Sequence, residues 1–325
     1  MTAKRYVLGI DGGGTKTSAW VAEMPAGEWP AAVEAAVAGR GSAGAANPQT
    51  VGWDAATANL DRAVDAAVAD SAIGAERLAA IVLGLAGSDR PAARERLSAW
   101  ASARGWSGRF RAVHDALPVL SAGSPAGWGV AVIAGTGSLA FGRSTAGAEC
   151  RAGGWGWLFG DEGSGYAVAL AGLRAAAKAA DGRGPSTAIL PALLDRLDIT
   201  RPEELVPAVY AMAADRAALA ALAATVTMAA EAGDTTARRI VDQAAEDLAE
   251  AAAVAARLAP RGEPIPLALA GGLLLGCRSL RAAVVEGLRD RGCCPEPVAL
   301  VAEPVAGAVR LAWEAAAGGG RRTWS

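Results

Sequence analysis

The chain has 325 residues, of which 52% are hydrophobic and 20% are charged, a balance typical of a folded globular protein rather than a disordered one. Its formal net charge is −2 and it has no long basic cluster, so nucleic acid is not expected as a main partner. The N-terminus lacks a signal peptide, and the longer uncharged stretches are broken by proline and glycine. We therefore expect a cytoplasmic protein without a membrane segment, and the length favours two domains.

Cysteine and histidine usage narrows the possible metal chemistry. The four cysteines do not have the spacing of a zinc or iron–sulfur site, so we expect them to be reduced thiols. His114 is the only histidine, which excludes multi-histidine metal sites and leaves any Ser-His-Asp triad dependent on that residue.

The predicted elements alternate between strands and helices, which indicates mixed sheets flanked by helices. In the first part we predict strands over 6–10, 17–23, 32–38, 78–85 and 110–114, with helices over 54–70 and 91–104. In the second part we predict a hairpin over 129–142, a helical region over 163–258, strands over 265–270 and 297–301, and a helix over 304–317. A domain boundary is expected near the prolines and glycines of 118–125.

The first glycine-rich turn follows the first predicted strand, in Ile10-Asp11-Gly12-Gly13-Gly14-Thr15. A turn of nearly bare backbone lets N–H groups approach an anion closely. Asp11 would repel a phosphate unless a divalent cation lay between them, so the motif favours a metal–nucleotide complex over a bare anion.

Two further glycine turns follow apolar strands, and the first of them repeats this strand–turn–strand pattern. Gly135-Thr136-Gly137-Ser138 joins the strands of the second hairpin, which indicates a duplicated architecture. Gly271-Gly272 follows an apolar strand and precedes a helix, where a ribose or a flat ring can lie on the backbone. The Walker A motif is absent, and the partial match of 135–140 to a dinucleotide fingerprint is followed by a strand-like run rather than a helix.

Asp115 lies at the carboxyl end of a predicted strand, where α/β sheets usually bind ligands. An aspartate there can accept the proton of a hydroxyl that attacks phosphorus. It can equally cap the helix that starts at Ala116, and the two roles can coexist.

The loop from Gly153 to Tyr166 combines six glycines, three aromatic residues before Tyr166 and one Asp-Glu pair. Glycines shape a close-fitting loop, aromatic faces suit the C–H face of a sugar, and carboxylates bind vicinal hydroxyls. Asp161 or Ser164 is alternatively a cap for the following helix. Asn47 is either a ligand donor or an Asx-turn before Pro48.

Together, these motifs resemble the N-acetylglucosamine kinase branch of the BadF/BadG/BcrA/BcrD ATPases, within the sugar kinase/Hsp70/actin superfamily. The resemblance covers nearly the whole chain. It implies an α/β fold with two RNase H-like, actin-like ATPase domains and an interdomain cleft, over 1–118 and 119–307, with the C-terminal helix at about 308–325 packing back on the first domain. His114 departs from the branch, which usually has a smaller polar residue there.

The resemblance also implies a set of site residues. Asp115 is the expected catalytic base, and Asp11 is expected to hold Mg²⁺ through water. ATP is expected on Gly13, Gly14, Thr15, Lys16, Gly135, Thr136, Gly137, Ser138, Gly271 and Gly272. The sugar is expected on Asn47, Asp115, Gly154, Trp155, Asp161 and Gly165.

We therefore predict an ATP-dependent kinase that phosphorylates N-acetylglucosamine on its 6-hydroxyl, with glucosamine and N-acetylmuramate as alternative acceptors. The expected ligands are ATP, Mg²⁺ and a small-molecule sugar, and a homodimer is possible on this sequence. A different class is the ATPase activator of 2-hydroxyacyl-CoA dehydratases, which holds an iron–sulfur cluster that the isolated cysteines disfavour. A non-catalytic sugar sensor is disfavoured by the intact Asp11 and Asp115.

Overall fold

The computed structural model describes residues 4–25, 33–88, 90–124, 126–260 and 262–318. It divides into two compact units, one formed by Met1–Ala126 with Glu303–Ser325 and the other by Gly127–Ala302. The boundaries expected from the sequence were 118 and 307. Residues 319–325 of the expected C-terminal helix lie outside the described residues.

The first unit contains a five-stranded mixed sheet in the order β3-β2-β1-β4-β5. Its strands are β1 Tyr6–Gly12, β2 Lys16–Glu23, β3 Val37–Gly44, β4 Leu78–Leu85 and β5 Phe110–Val113. Its helices are α1 Pro48–Val51, α2 Trp53–Ser71, α3 Pro91–Ala103, α4 Ala116–Gly123 and, from the end of the chain, α13 Val305–Ala317. The pairs β1–β2 and β2–β3 are antiparallel, whereas β1–β4 and β4–β5 are parallel.

The second unit repeats this arrangement in a sheet of order β10-β9-β6-β7-β8. Its strands are β6 Gly129–Ala134, β7 Ser138–Arg143, β8 Glu149–Gly153, β9 Pro264–Ala270 and β10 Cys294–Val301. Its helices are α5 Gly165–Ala180, α6 Ile189–Arg196, α7 Leu205–Ala211, α8 Arg216–Ala221, α9 Ala223–Glu231, α10 Thr235–Ala255, α11 Gly272–Gly276 and α12 Arg278–Asp290. Each sheet thus consists of three antiparallel strands followed by two parallel ones, which confirms the predicted duplication.

Each unit has its own core, and both cores pack small residues closely. In the first unit Leu8, Ile10 and Leu83 are fully buried, and α13 crosses β1 so closely that a Cβ on Gly9 would lie 2.3 Å from the Val309 nitrogen. In the second unit, α10 presents an alanine-rich face with Val241 and Leu248 to the sheet. None of the described helices is long and apolar enough to cross a membrane.

The predicted strand over 32–38 was wrong. Residues 33–36 form a 3-10 helix and the strand begins only at Val37, while residue 32 lies outside the described residues. Val37–Gly44 is rich in glycine, which is depleted in strands, so its pattern does not predict one. The reason for the glycines is packing, because a Cβ on Gly41 would lie 2.0 Å from the Ala63 carbonyl oxygen of α2.

Candidate active site

The first glycine turn connects β1 to β2, as predicted. The Gly13 N–H donates to the Lys16 carbonyl at 3.0 Å, so this N–H closes the turn itself. A Cβ built on Gly14 meets no atom within 4 Å, and Thr15 and Lys16 are exposed. The turn therefore offers open backbone at Gly14 and Thr15, with the Lys16 ammonium beside it, as a phosphate site requires.

Asp11 lies at the end of β1, opposite Ser18 of β2. Its pKa is raised from 3.8 to about 7, mainly because desolvation of the carboxyl by the surrounding protein disfavours the charged form. The negative charges of Asp115 and Glu303 raise the pKa further. Lys16 acts in the opposite direction. The Lys16 ammonium lies 3.3 Å from the Glu303 carboxylate, just before α13.

This excess of negative charge is what a divalent cation would relieve. Mg²⁺ in kinase sites is typically bound through one or two carboxylates, several waters and the substrate phosphates. The described residues include no cluster of three or more His, Cys, Asp or Glu side chains that could hold a metal by themselves. The position of Asp11 beside the Gly13–Lys16 turn fits a cation that is shared with a nucleotide.

Asp115 follows β5 and occupies the N-cap position of α4, but its side chain accepts no capping hydrogen bond. The neighbouring ring accepts one instead, because the Ala116 N–H donates to His114 Nδ1 at 3.2 Å. The predicted capping role of Asp115 is therefore wrong. Its Oδ1 atom is buried without a hydrogen-bond partner in the described structure, and His114 Nδ1 lies 3.1 Å away.

Asn47 forms the Asx-turn that was one of its two predicted roles. Its Oδ1 accepts the Gln49 N–H at 3.0 Å and caps α1. Its own N–H donates to the Gly13 carbonyl at 3.2 Å, which fixes it to the first glycine turn. The side-chain amide nitrogen remains a donor for a ligand, so this geometry is compatible with both roles.

In the second unit the two other glycine turns meet backbone to backbone. Gly271 has φ +93°, and a Cβ there would lie 2.4 Å from the Ala134 carbonyl oxygen. The Gly165 N–H donates to the Gly135 carbonyl at 2.8 Å, and a Cβ on Gly165 would lie 2.8 Å from that oxygen. Gly165 was predicted as a sugar residue, and the contact found here is with the Gly135 carbonyl of the second glycine turn.

Asp161 links the Gly135–Ser138 turn of the second unit to the loop after β8. It is buried, has φ +56°, and its carboxylate accepts the N–H groups of Ser138 and Gly156. Burial raises its pKa, whereas these two hydrogen bonds act against that rise. The Ser138 hydroxyl donates to the Glu162 carbonyl at 2.5 Å, which forms a second link between the same two segments.

The aromatic part of this loop is exposed. Trp155 is 66% exposed and Phe159 72%, and Gly154 before them has φ +69°. A Cβ on Gly160 would lie 2.7 Å from the Trp155 Cβ, so the loop folds tightly back on itself. The cap that starts α5 is Ser164, whose Oγ accepts the Ala167 N–H at 3.2 Å.

The structure therefore places the predicted residues in two groups, one in each unit. Asp11, Gly13, Gly14, Thr15, Lys16, Asn47 and Asp115 belong to the first, and Gly135, Thr136, Gly137, Ser138, Gly154, Trp155, Asp161, Gly165, Gly271 and Gly272 belong to the second. Sequence reasoning missed Glu303, which is 287 positions from its partner Lys16, and it also missed the helix cap provided by His114.

Comparison with known proteins identifies the family of this chain. Residues 8–312 match the model of the BadF/BadG/BcrA/BcrD ATPase family, and the chain belongs to that family. This confirms the resemblance drawn from the glycine motifs, and with it an ATP-binding protein.

Among its relatives are two named amino-sugar kinases. The chain is 30% identical to an N-acetylmuramic acid/N-acetylglucosamine kinase of Clostridium acetobutylicum, over 83% of this chain and 86% of that protein. It is 33% identical to an N-acetyl-D-glucosamine kinase of Dictyostelium discoideum, over 64% of this chain and 65% of that protein. A crystal structure from Chromobacterium violaceum, proposed to be an N-acetylglucosamine kinase, matches with a TM-score of 0.67 and 28% identity over 95% of this chain and 99% of that chain.

Proposed function

We propose that this chain transfers the γ-phosphoryl group of ATP to an amino sugar, with N-acetylglucosamine accepting it on the 6-hydroxyl. The family and the two named relatives support the class of reaction. The observation that carries the proposal is the Asp115 carboxylate, which is half-buried, does not cap its helix and has an oxygen without a hydrogen-bond partner among the described residues.

In this proposal Asp115 accepts the proton of the sugar 6-hydroxyl as that oxygen bonds to the γ-phosphorus and the bond to the leaving ADP breaks. The N–H groups of Gly14 and Thr15 and the Lys16 ammonium bind the phosphates, and Asn47 binds the sugar. When the phosphates bind, the Lys16 ammonium leaves the Glu303 carboxylate, because the carboxylate and the phosphates compete for the same ammonium.

Asp11 would hold Mg²⁺, which neutralises phosphate charge when it is bound. In the second unit, Gly135, Thr136, Gly137 and Ser138 would contact the phosphates, and Gly271 with Gly272 the adenosine. Gly154, Trp155 and Asp161 would contact the sugar. The need for ATP favours a cytoplasmic location. A homodimer, if formed, would be detected by analytical ultracentrifugation at micromolar protein concentration.

The test is the turnover of Asp115→Asn. Asparagine keeps the size of the side chain but cannot take the proton, so we expect kcat to fall about 10²-fold or more. Because Asp115 makes no capping bond, the thermal midpoint should hold or rise, and ATP affinity should stay within threefold. Exposed Asp54→Asn is the matched control. Near-normal kcat in a folded Asp115→Asn protein would remove Asp115 from the mechanism.

The acceptor is tested separately by kcat/KM for N-acetylglucosamine, glucosamine, N-acetylmuramate and glucose. We expect N-acetylglucosamine to exceed glucosamine and glucose. If glucosamine exceeds N-acetylglucosamine by more than tenfold, the acetylated substrate is wrong while the kinase class stands.

A further inference from the structure

Arg90 is a cation that the proposed reaction does not use. It is connected through Gln49 to Asn47, the residue proposed to bind the sugar. It lies in the segment between β4 and α3, at the N-cap position of α3, and is exposed. The Gln49 amide is oriented with Oε1 toward the guanidinium, because the reverse would set donors against donors. Oε1 then accepts from both Nη1 and Nη2, the latter at 3.0 Å.

The position of this guanidinium is fixed relative to the site by two short paths. Gln49 donates its N–H to Asn47 Oδ1 at 3.0 Å, so the residue that holds Arg90 is also held by Asn47. The Ser88 hydroxyl donates to the Val113 carbonyl at 2.7 Å, which ties the segment of Arg90 to the end of β5, two residues before Asp115. Arg90 is therefore anchored both to the proposed sugar donor and to the strand that carries the proposed base.

The bonding pattern leaves one edge of the guanidinium available. The arginine side chain has five N–H donors. Gln49 Oε1 accepts one hydrogen bond from Nη1 and one from Nη2, between the two terminal nitrogens of the guanidinium. The edge formed by Nε and Nη2 is the one that pairs side-on with a carboxylate. This side of the guanidinium lies beside Gly87, which has no side chain, since a Cβ there would lie 3.8 Å from Nε, and Arg90 is exposed. None of the described carboxylates forms an ion pair with Arg90.

We propose that Arg90, held by Gln49, is a subsite for a carboxylate carried by the amino sugar, and that it recognises the ether-linked lactyl group at C3 of N-acetylmuramate. The inference rests on the proposed function, because it places the sugar at Asn47 and Asp115. N-Acetylmuramate differs from N-acetylglucosamine only by this acidic substituent. A fixed guanidinium with an open side-on edge therefore discriminates between the two sugars by charge and by geometry.

The experiment measures kcat/KM for both sugars on the full chain and compares their ratio, N-acetylmuramate over N-acetylglucosamine. In Arg90→Ala we expect this ratio to fall at least tenfold, because only one of the sugars carries the carboxylate. Arg90→Lys keeps the charge without the fork, so the ratio should fall by a smaller factor. Gln49→Ala should also lower it, since the guanidinium loses its anchor. Arg94→Ala removes an exposed arginine from the same helix and should leave the ratio within twofold.

The outcomes distinguish failure of the Arg90 subsite from failure of the proposed function. A wild-type chain that phosphorylates N-acetylglucosamine but not N-acetylmuramate overturns the subsite and leaves the proposed function standing. An unchanged ratio in Arg90→Ala overturns it as well, even if both kcat/KM values fall, since that pattern indicates a structural role. A chain that phosphorylates no amino sugar overturns the proposed function itself. If Arg90→Ala fails to fold, Arg90→Lys and Gln49→Ala carry the same comparison.

Discussion

Replacing Asp11 by asparagine should stabilise the protein while removing its activity. The carboxyl has a pKa of about 7 in the folded chain against 3.8 for an ordinary aspartate, so the folded state binds this proton more tightly than the unfolded state does. Stability therefore falls as pH rises from about 4 to about 7, and the cost is complete above that range. The difference in pKa corresponds to about 4 kcal/mol when Asp11 is ionised in both states.

Asparagine removes the charge that is poorly hydrated and repelled by Asp115 and Glu303. At pH 8 we expect Asp11→Asn to gain between about 1 and 4 kcal/mol, which raises the melting temperature by roughly 2–4 °C for each kcal/mol in a domain of this size class. At pH 5 the native carboxyl is mostly protonated whereas the unfolded one is already ionised, so part of the cost is still present and the gain should be smaller, under about half of its value at pH 8.

The assay is calorimetric melting of both proteins at pH 5 and pH 8, in EDTA so that no divalent cation masks the charge. Asp54→Asn, an exposed aspartate of the same unit, is the control and should show no gain that grows with pH. An equal shift of Asp11→Asn at both pH values, or a loss at pH 8, would refute the electrostatic reasoning. Phosphorylation of N-acetylglucosamine should fall at least 10²-fold in the same variant if Asp11 holds the cation.

Two further predictions concern the second unit. Gly165→Ala places a Cβ 2.8 Å from the Gly135 carbonyl oxygen, so it should distort the phosphate turn and weaken ATP binding at least fivefold in calorimetric titration; an unchanged affinity would show that the turn yields freely. Ser164→Ala removes the cap of α5 and should cost about 1 kcal/mol, seen as a lower melting temperature. A Ser164→Ala melt equal to wild type would mean that the cap is not limiting for stability.

Both glycine hairpins could be predicted from the sequence because their signals are local. In each case an apolar run ends in glycines and a second apolar run follows directly, and the structure has β1–β2 and β6–β7 at these places. β3 could not be predicted in the same way. Its Gly39 and Gly41 are required by the close approach of α2, a contact with residues more than twenty positions away that local patterns do not reveal.

The location of Asp115 between a strand and a helix could be predicted from the sequence, but the hydrogen bonds around it could not. The strand end and the following helix were visible in the sequence, and both a base and a cap were compatible with that position. Either His114 or Asp115 could accept the first N–H of the helix, and the side-chain torsion angles decide between them. In the structure, His114 Nδ1 accepts the Ala116 N–H. Glu303 was invisible for another reason: its neighbour Lys16 lies at the opposite end of the chain.

The carboxylates of the two units differ in how their charge is satisfied, and this difference separates chemical roles from structural ones. Asp161 is buried, but it accepts two backbone N–H groups, so its charge is balanced within the loop that it holds. Asp115 has a buried oxygen without such a donor in the described structure, and Asp11 has its pKa raised by neighbouring acids. Unbalanced charge lowers stability, so a site retains it where a ligand supplies the balance. Asp161 therefore holds the loop after β8 on the Gly135–Ser138 turn, whereas Asp11 and Asp115 fit the proposed binding of a cation and transfer of a proton.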